Sequence, residues 1–200
     1  MSLRKNLLSF SIFFLIIFLS SKTVFSVEPD KFIQNIVDKA SAVLKNDHSK
    51  EYKIEKLKNI AIDSVDIRGI GLYTLGSHRK KLSDDQKKKY NDLFKNYFLK
   101  SFSSRLSEYT NPEIDVQDKE VLNEKYTIVN SILKATNERP EIKITWRVYT
   151  KDPTNPLIRD LIIEGLSLAR TQKEEFASIL NSNNNDINAL FKVLKEFSQE

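Results

Sequence analysis

The chain has 200 residues, 30% of them charged, with 32 Lys and Arg against 27 Asp and Glu and no cysteine. Without cysteine it has neither a disulfide framework nor thiolate metal ligands, so its core alone must hold it together. The net charge of +5 belongs largely to the first 26 residues: without Arg4, Lys5 and Lys22 it is 29 basic against 27 acidic, which removes the basic footprint of a nucleic-acid binder.

Residues 1–26 read as a cleavable export signal. Arg4 and Lys5 precede an apolar run, Leu7 to Leu19, and Val24-Phe25-Ser26 supplies small residues at the cut. A run of about 13 residues is short of the roughly 20 that span a bilayer. An uncleaved anchor is the alternative; a lipoprotein anchor is excluded because there is no cysteine. Residues 27–200 are then expected as one domain, exported and monomeric.

Pro29 suits a first helical position, and Phe32, Ile33, Ile36, Val37, Ala40, Val43 and Leu44 follow at helical spacing. A second helix is predicted from about Lys50 to Val65, with Ile54, Leu57, Ile60, Ala61 and Ser64 inward. Asn46 to Ser49 is the turn between them. Asp66 to Leu75 is shorter and weakened by Gly69 and Gly71, with Leu75-Gly76 as its C-cap. Ser83 and Gln86 form a capping box, with Asp84 and Asp85 at the positive helix end. The helix they open is predicted to reach about Tyr109, with an aromatic stripe of Tyr90, Leu93, Phe94, Tyr97, Phe98, Phe102 and Leu106. Lys87-Lys88-Lys89, opposite that stripe, reads as a solvated face, and Asn111-Pro112 ends the helix.

Beyond Pro112 the period becomes two. Ile114 to Leu122, Tyr126 to Ala135, Ile142 to Val148 and Leu157 to Glu164 are predicted strands, joined by short turns that imply antiparallel pairing. Glu138-Arg139-Pro140 and Asp152 to Pro156 are the last two connections. Glu164-Gly165 is read as a strand-to-helix corner, and Thr171 with Glu174 as a capping box opening a helix through Phe176, Ile179 and Leu180. Ile187 to Phe197 is a final amphipathic helix. The order is α+β: helices over about 29–110 and 166–197, and a twisted antiparallel sheet of four to five strands over about 113–165.

Catalytic and metal chemistry find little support. His48 and His78 have no neighbouring ligand, the four glycines form no phosphate loop, and Ser167 lies in no nucleophile elbow. Asp160 and Glu164 stand roughly 13 Å apart along a strand, farther than paired glycosidase carboxylates. Asp63 and Asp66 read as solvated capping groups. No metal, cofactor or catalytic residue is expected. The aromatic stripe and the apolar sheet face are compatible with a filled core or with an apolar pocket, since periodicity does not report volume.

Leu75-Gly76, Leu82-Ser83-x-x-Gln86, Tyr90, Phe94, the helix end at Tyr109, Val129, Ser131 and Asp160 to Leu168 followed by Phe176, Ile179 and Leu180 resemble the toluene-tolerance auxiliary family, the MlaC-type lipid shuttles. The resemblance runs from about Pro29 to Leu194. Members usually carry an aromatic residue after the Leu-Gly and a Trp before the last strand; this chain has Ser77-His78-Arg79-Lys80 and Pro156-Leu157 there. What the resemblance implies is a periplasmic protein, NTF2-like in outline, that holds a glycerophospholipid by its tails. It would pass lipid between an outer-membrane lipoprotein complex and an inner-membrane ABC transporter with a ring-forming substrate-binding component, maintaining outer-membrane lipid asymmetry. Leu75, Phe94, Phe98, Ile128, Trp146, Val148 and Ile162 are the expected lipid-binding residues. The alternatives are an NTF2-like enzyme using Asp160 with Tyr126 or Tyr149, and a ligand-free module that regulates a transporter.

Overall fold

The computed structural model describes residues 26–45, 47–137 and 139–199; residues 1–25, where the export signal is expected, together with Asn46, Glu138 and Glu200, lie outside them. Helices α1 (Pro29–Lys45), α2 (Lys50–Ser64), α3 (Ile67–Thr74) and α4 (Asp84–Leu106) come first. Strands β1 (Ile114–Asn123), β2 (Tyr126–Leu133), β3 (Ile142–Tyr149), β4 (Leu157–Ile163) and β5 (Leu166–Ser167) follow, then α5 (Leu168–Ser182) and α6 (Ile187–Gln199). The five strands form one antiparallel sheet in sequence order, the α+β class expected from the change of period.

Local chemistry explains the helix starts. Ser49 Oγ accepts from Tyr52 N–H at the head of α2, and Asp66 Oδ1 accepts from Gly69 N–H at the head of α3. At α4 the capping box is complete: Ser83 Oγ accepts from Gln86 N–H at 3.2 Å, and Gln86 Oε1 accepts from Ser83 N–H at 2.9 Å. Gly76, past the end of α3, has φ +55°, the left-handed conformation that a glycine helix stop supplies, and a short 3-10 turn over Gly76–Lys80 follows.

Three expectations need correction. Glu164 and Gly165 are not a strand-to-helix corner. Both have positive φ, +48° and +83°, and they close a two-residue hairpin in which Ile163 pairs with Leu166 and Ile162 with Ser167. Positive φ at both central residues matches the right-handed twist of the flanking strands. Nor does α5 open at Thr171. Ser167 is its N-cap, accepting from Arg170 N–H at 3.1 Å, so the helix starts as soon as β5 ends. Finally, α4 stops at Leu106, short of Tyr109.

One apolar cluster runs through α1, α3, α4, α5, α6 and one face of the sheet. α4 packs along α2, α3 and α6, while the closest helix approaches to the sheet are at its sides: α1 on β1 and β2, α3 and α5 on β4. β3, in the middle, lies behind a layer of side chains.

Candidate functional site

The site expected from the sequence divides across the sheet. Trp146 and Val148 stand opposite Val129 and Thr127, whereas Ile128 stands opposite Arg147, and Ile162 opposite Thr145. Adjacent strand positions point to opposite faces, so Ile128 and Ile162 lie on the far face from Trp146 and Val148. Leu75, Phe94, Trp146 and Val148 belong to one buried cluster with Phe98 half-buried against it; Ile128 and Ile162 do not. Five of the seven residues are brought together and two are not.

The helix-facing layer is built around α4. Phe94, 2% exposed, has Tyr90 stacked on it at 5.7 Å and Phe176 of α5 edge-on at 6.2 Å. Phe98 lies 6.1 Å from Phe94 and stacks on Phe102 at 5.7 Å. Gly71 lets this row sit against α3: a Cβ there would stand 2.8 Å from a Phe94 ring carbon. Facing them, the sheet presents Val129, Trp146, Val148 and Ile158, with Ile114, Val116, Ile144 and Leu161 half-buried around them. Burial falls along the aromatic row of α4, from Tyr90 and Phe94 to Phe98 and Phe102, and along β3, from Val148 and Trp146 to Ile144 and Ile142, while Leu99, Ser103 and Leu133 at those ends stay buried.

The few polar groups in this layer are paired with one another. Trp146 Nε1 donates to Ser131 Oγ at 2.8 Å, and Ser131 in turn donates to the Ile144 carbonyl. Thr74 Oγ1 donates to the Gly71 carbonyl, and the Tyr90 hydroxyl lies 2.8 Å from Thr74 Oγ1. Burial pushes the Tyr90 hydroxyl well above the usual tyrosine range, so it stays neutral across any physiological pH. A surface whose polar atoms are internally satisfied meets an apolar ligand without leaving a donor or acceptor orphaned.

The far face carries ionic clamps. Asp160 is buried; its carboxylate accepts from Ser167 Oγ at 2.6 Å and from Ala169 N–H at 3.0 Å, with Arg147 Nη1 at 3.5 Å. This carboxylate holds the first turn of α5. Arg159 donates from Nε to Asp66 Oδ2 at 2.7 Å and from Nη1 to the Tyr126 hydroxyl at 2.9 Å, its guanidinium 3.6 Å from the Tyr149 ring centroid. The residues of the enzyme alternative are therefore engaged structurally: Asp160 caps a helix, and Tyr126 and Tyr149 cradle an arginine. Asp66, read as a solvated cap, also carries this ion pair, a long-range link with no local sequence signal. No group of metal-ligating side chains that could hold an ion occurs among the described residues.

The described residues thus combine an α+β fold with an apolar, aromatic layer between a helical part and an antiparallel sheet. Residues 34–196 match the family model "MlaC protein", and the chain belongs to that family. The fold is also similar to a solved structure of the phospholipid-binding protein from Ralstonia solanacearum in complex with a phospholipid. That likeness has a TM-score of 0.73 at 18% identity and spans 86% of this chain and 98% of that one. No curated protein matches the sequence.

Proposed function

We propose that this protein binds a phospholipid by its acyl tails, between the α4 aromatic row and the helix-facing side of the sheet, and carries it between membrane-bound complexes. The observation that carries the reading is the layer itself: one contiguous apolar cluster that grades from buried to half-buried along the aromatic row of α4 and along β3. Family membership and the phospholipid-bound relative of the same fold support it.

Tail burial supplies the affinity in this mechanism. Each methylene removed from water contributes about 0.8 kcal/mol, so the tails of a membrane lipid offset the loss of bilayer contacts without any specific head-group bond. The tails enter at the half-buried end, between Phe98, Phe102 and Ile144, and the head group stays near solvent. With the layer packed on itself, admitting them requires the helices around α4 to part from β3, whereas the closest helix approaches to the sheet are on β1, β2 and β4. Export to the periplasm by the N-terminal signal, an outer-membrane lipoprotein complex as one partner, an inner-membrane ABC transporter with its ring component as the other, and maintenance of outer-membrane lipid asymmetry complete the proposal.

The test is gentle purification of the exported protein, organic extraction and lipid mass spectrometry. Phospholipid near one molecule per chain is the expected result, retained in Asp160→Asn. A chain that emerges without lipid from cells rich in phospholipid would sink the reading.

A further inference from the structure

A second recess lies elsewhere on the helical part. α2 and α6 both pack along α4, from either side, without packing closely on each other. The space between them is a groove of about 580 Å³. Its apolar side chains are Ile54 of α2 and Leu93 and Leu99 of α4; its charged ones are Lys58, Lys100 and Lys195, one from each helix, and among the described residues no carboxylate lines it. Among the described residues Lys58 has only Glu55 as an ion-pair partner, at 3.9 Å on the same helix. Among the described residues Lys100 and Lys195 make no ion pair, and Lys100 is held 5.6 Å from the Phe197 ring centroid. For residues 27–200, with net charge close to zero, three ammonium groups around one apolar recess are a local excess.

We propose that this groove docks a short acidic, amphipathic segment of a partner protein. From Leu93 to Ser104 the groove follows α4 for about 16 Å, the length of roughly three helical turns. A helix laid in a groove between two others places apolar side chains on the floor and its flanking side chains against the rim. Leu93, Leu99 and Ile54 supply that floor, and carboxylates at the flanks meet the three lysines. Complementary charge of this kind sets partner choice and association rate more than raw affinity. A flat bilayer does not follow a recess between helices. This inference does not rest on the lipid reading.

The probe is a fluorescein-labelled peptide of about 12 residues with Leu at helical spacing and Glu at the flanking positions, compared with the same peptide carrying Gln for Glu. Anisotropy titrations with the purified full-length protein are expected to show at least about tenfold tighter binding of the Glu peptide. Raising NaCl from about 20 to 300 mM is expected to weaken it about fivefold or more. The triple variant Lys58→Gln, Lys100→Gln, Lys195→Gln is expected to lose the tenfold preference while keeping its melting temperature and its co-purified lipid. Because these lysines are surface groups, Lys195→Glu alone serves as a milder check and should weaken the Glu peptide while sparing the Gln peptide. Equal affinity for both peptides, or unchanged binding in the triple variant, overturns the proposal. So does displacement of the Glu peptide by phosphatidylglycerol vesicles, which would make the groove a lipid-surface site. Wild-type protein that binds the Glu peptide but carries no lipid would count against the carrier reading alone.

Discussion

The two faces of the sheet are made by the same strands and hold the molecule together in opposite ways. Toward α4, Val129, Trp146, Val148 and Ile158 make non-directional contacts, and the Trp146 indole N–H is met by Ser131 within the layer. On the other side, Asp160 and Arg159 reach from β4 to the first turns of α5 and α3 through charged hydrogen bonds. Contacts without direction are tolerant: an acyl chain in many conformations replaces a phenyl ring at little cost in specificity. Directional clamps are intolerant, and they fix where the helices begin. A carrier needs both, a soft layer that admits variable tails and a frame that does not move when it does.

The largest expected effect separates the two ends of the soft layer. Phe94→Ala removes a ring buried among Tyr90, Phe176 and Gly71 and is expected to cost about 3–5 kcal/mol of stability, read by denaturant unfolding. Phe98→Ala, at a half-buried position, is expected to cost less than half of that while reducing co-purified lipid more than any stability loss explains. Equal stability losses at the two positions would mean that the layer is uniform core with no soft end.

Next in size is a break in the frame. Asp160→Ala leaves the Ala169 N–H, the Ser167 hydroxyl and Arg147 without their shared acceptor, at an expected cost of about 1–3 kcal/mol. Lipid retained by the folded fraction should be unchanged. If instead lipid is lost while the fold is intact, the far face participates in binding and the division between faces fails.

Much of the element order was legible in the sequence, the division between the faces less so. The change from helical to alternating spacing at Pro112 marks the helix-to-sheet boundary, and the Ser83–Gln86 box marks the start of α4. Strand parity was not legible where both faces carry apolar residues. Ile128 and Ile162 share the composition of Val129 and Leu161, and only pairing with Arg147 and Thr145 shows that they point the other way. A bulge in β4, where Val148 pairs with Ile158 and Arg147 with Asp160, shifts the parity again at Arg159. Along α4 the aromatic stripe missed Leu99 and Ser103, both buried, because a helix packed by α2, α3 and α6 has no single inward stripe. The start of α5 was misplaced for a related reason: its first turn is capped by Asp160 from another element, a contact outside any local motif.

The hairpin that ends the sheet offers a smaller and cleaner perturbation. Gly165 has φ +83° and open space around its missing side chain, so Gly165→Ala carries only the conformational cost of a left-handed alanine. About 1 kcal/mol is expected, read as a shift in the denaturant midpoint without a change in slope. Because Leu166, 59% exposed, sits beside this turn at the edge of the helix-facing side, lipid retention should follow stability and no more.

The smallest effect probes how α1 is tied to the sheet. Lys119 of β1 donates to Asp30 Oδ1 at 2.6 Å and is paired with Glu28, joining the head of α1 to the exposed half of the edge strand. The hydrogen bond from Lys119 holds the Asp30 carboxyl below its ordinary value against the opposing effect of burial, and the bonds to Asp30 and Glu28 raise the lysine. The depressed carboxyl contributes stability that is full above the ordinary carboxylate value and lost as pH falls through its lowered one. The raised ammonium contributes stability that is full below the ordinary lysine value and lost as pH rises through its raised one. Since the groups are largely solvated, Lys119→Ala is expected to cost well under 1 kcal/mol at neutral pH. Thermal melts should show that difference shrinking toward zero as the pH falls through the lowered Asp30 value, below which that carboxyl is neutral in wild type and variant alike. A larger loss at neutral pH, or one that persists in acid, would show that Lys119 holds α1 by packing as well as by charge, and the grip on β1 would then belong with the rigid frame rather than with the soft layer.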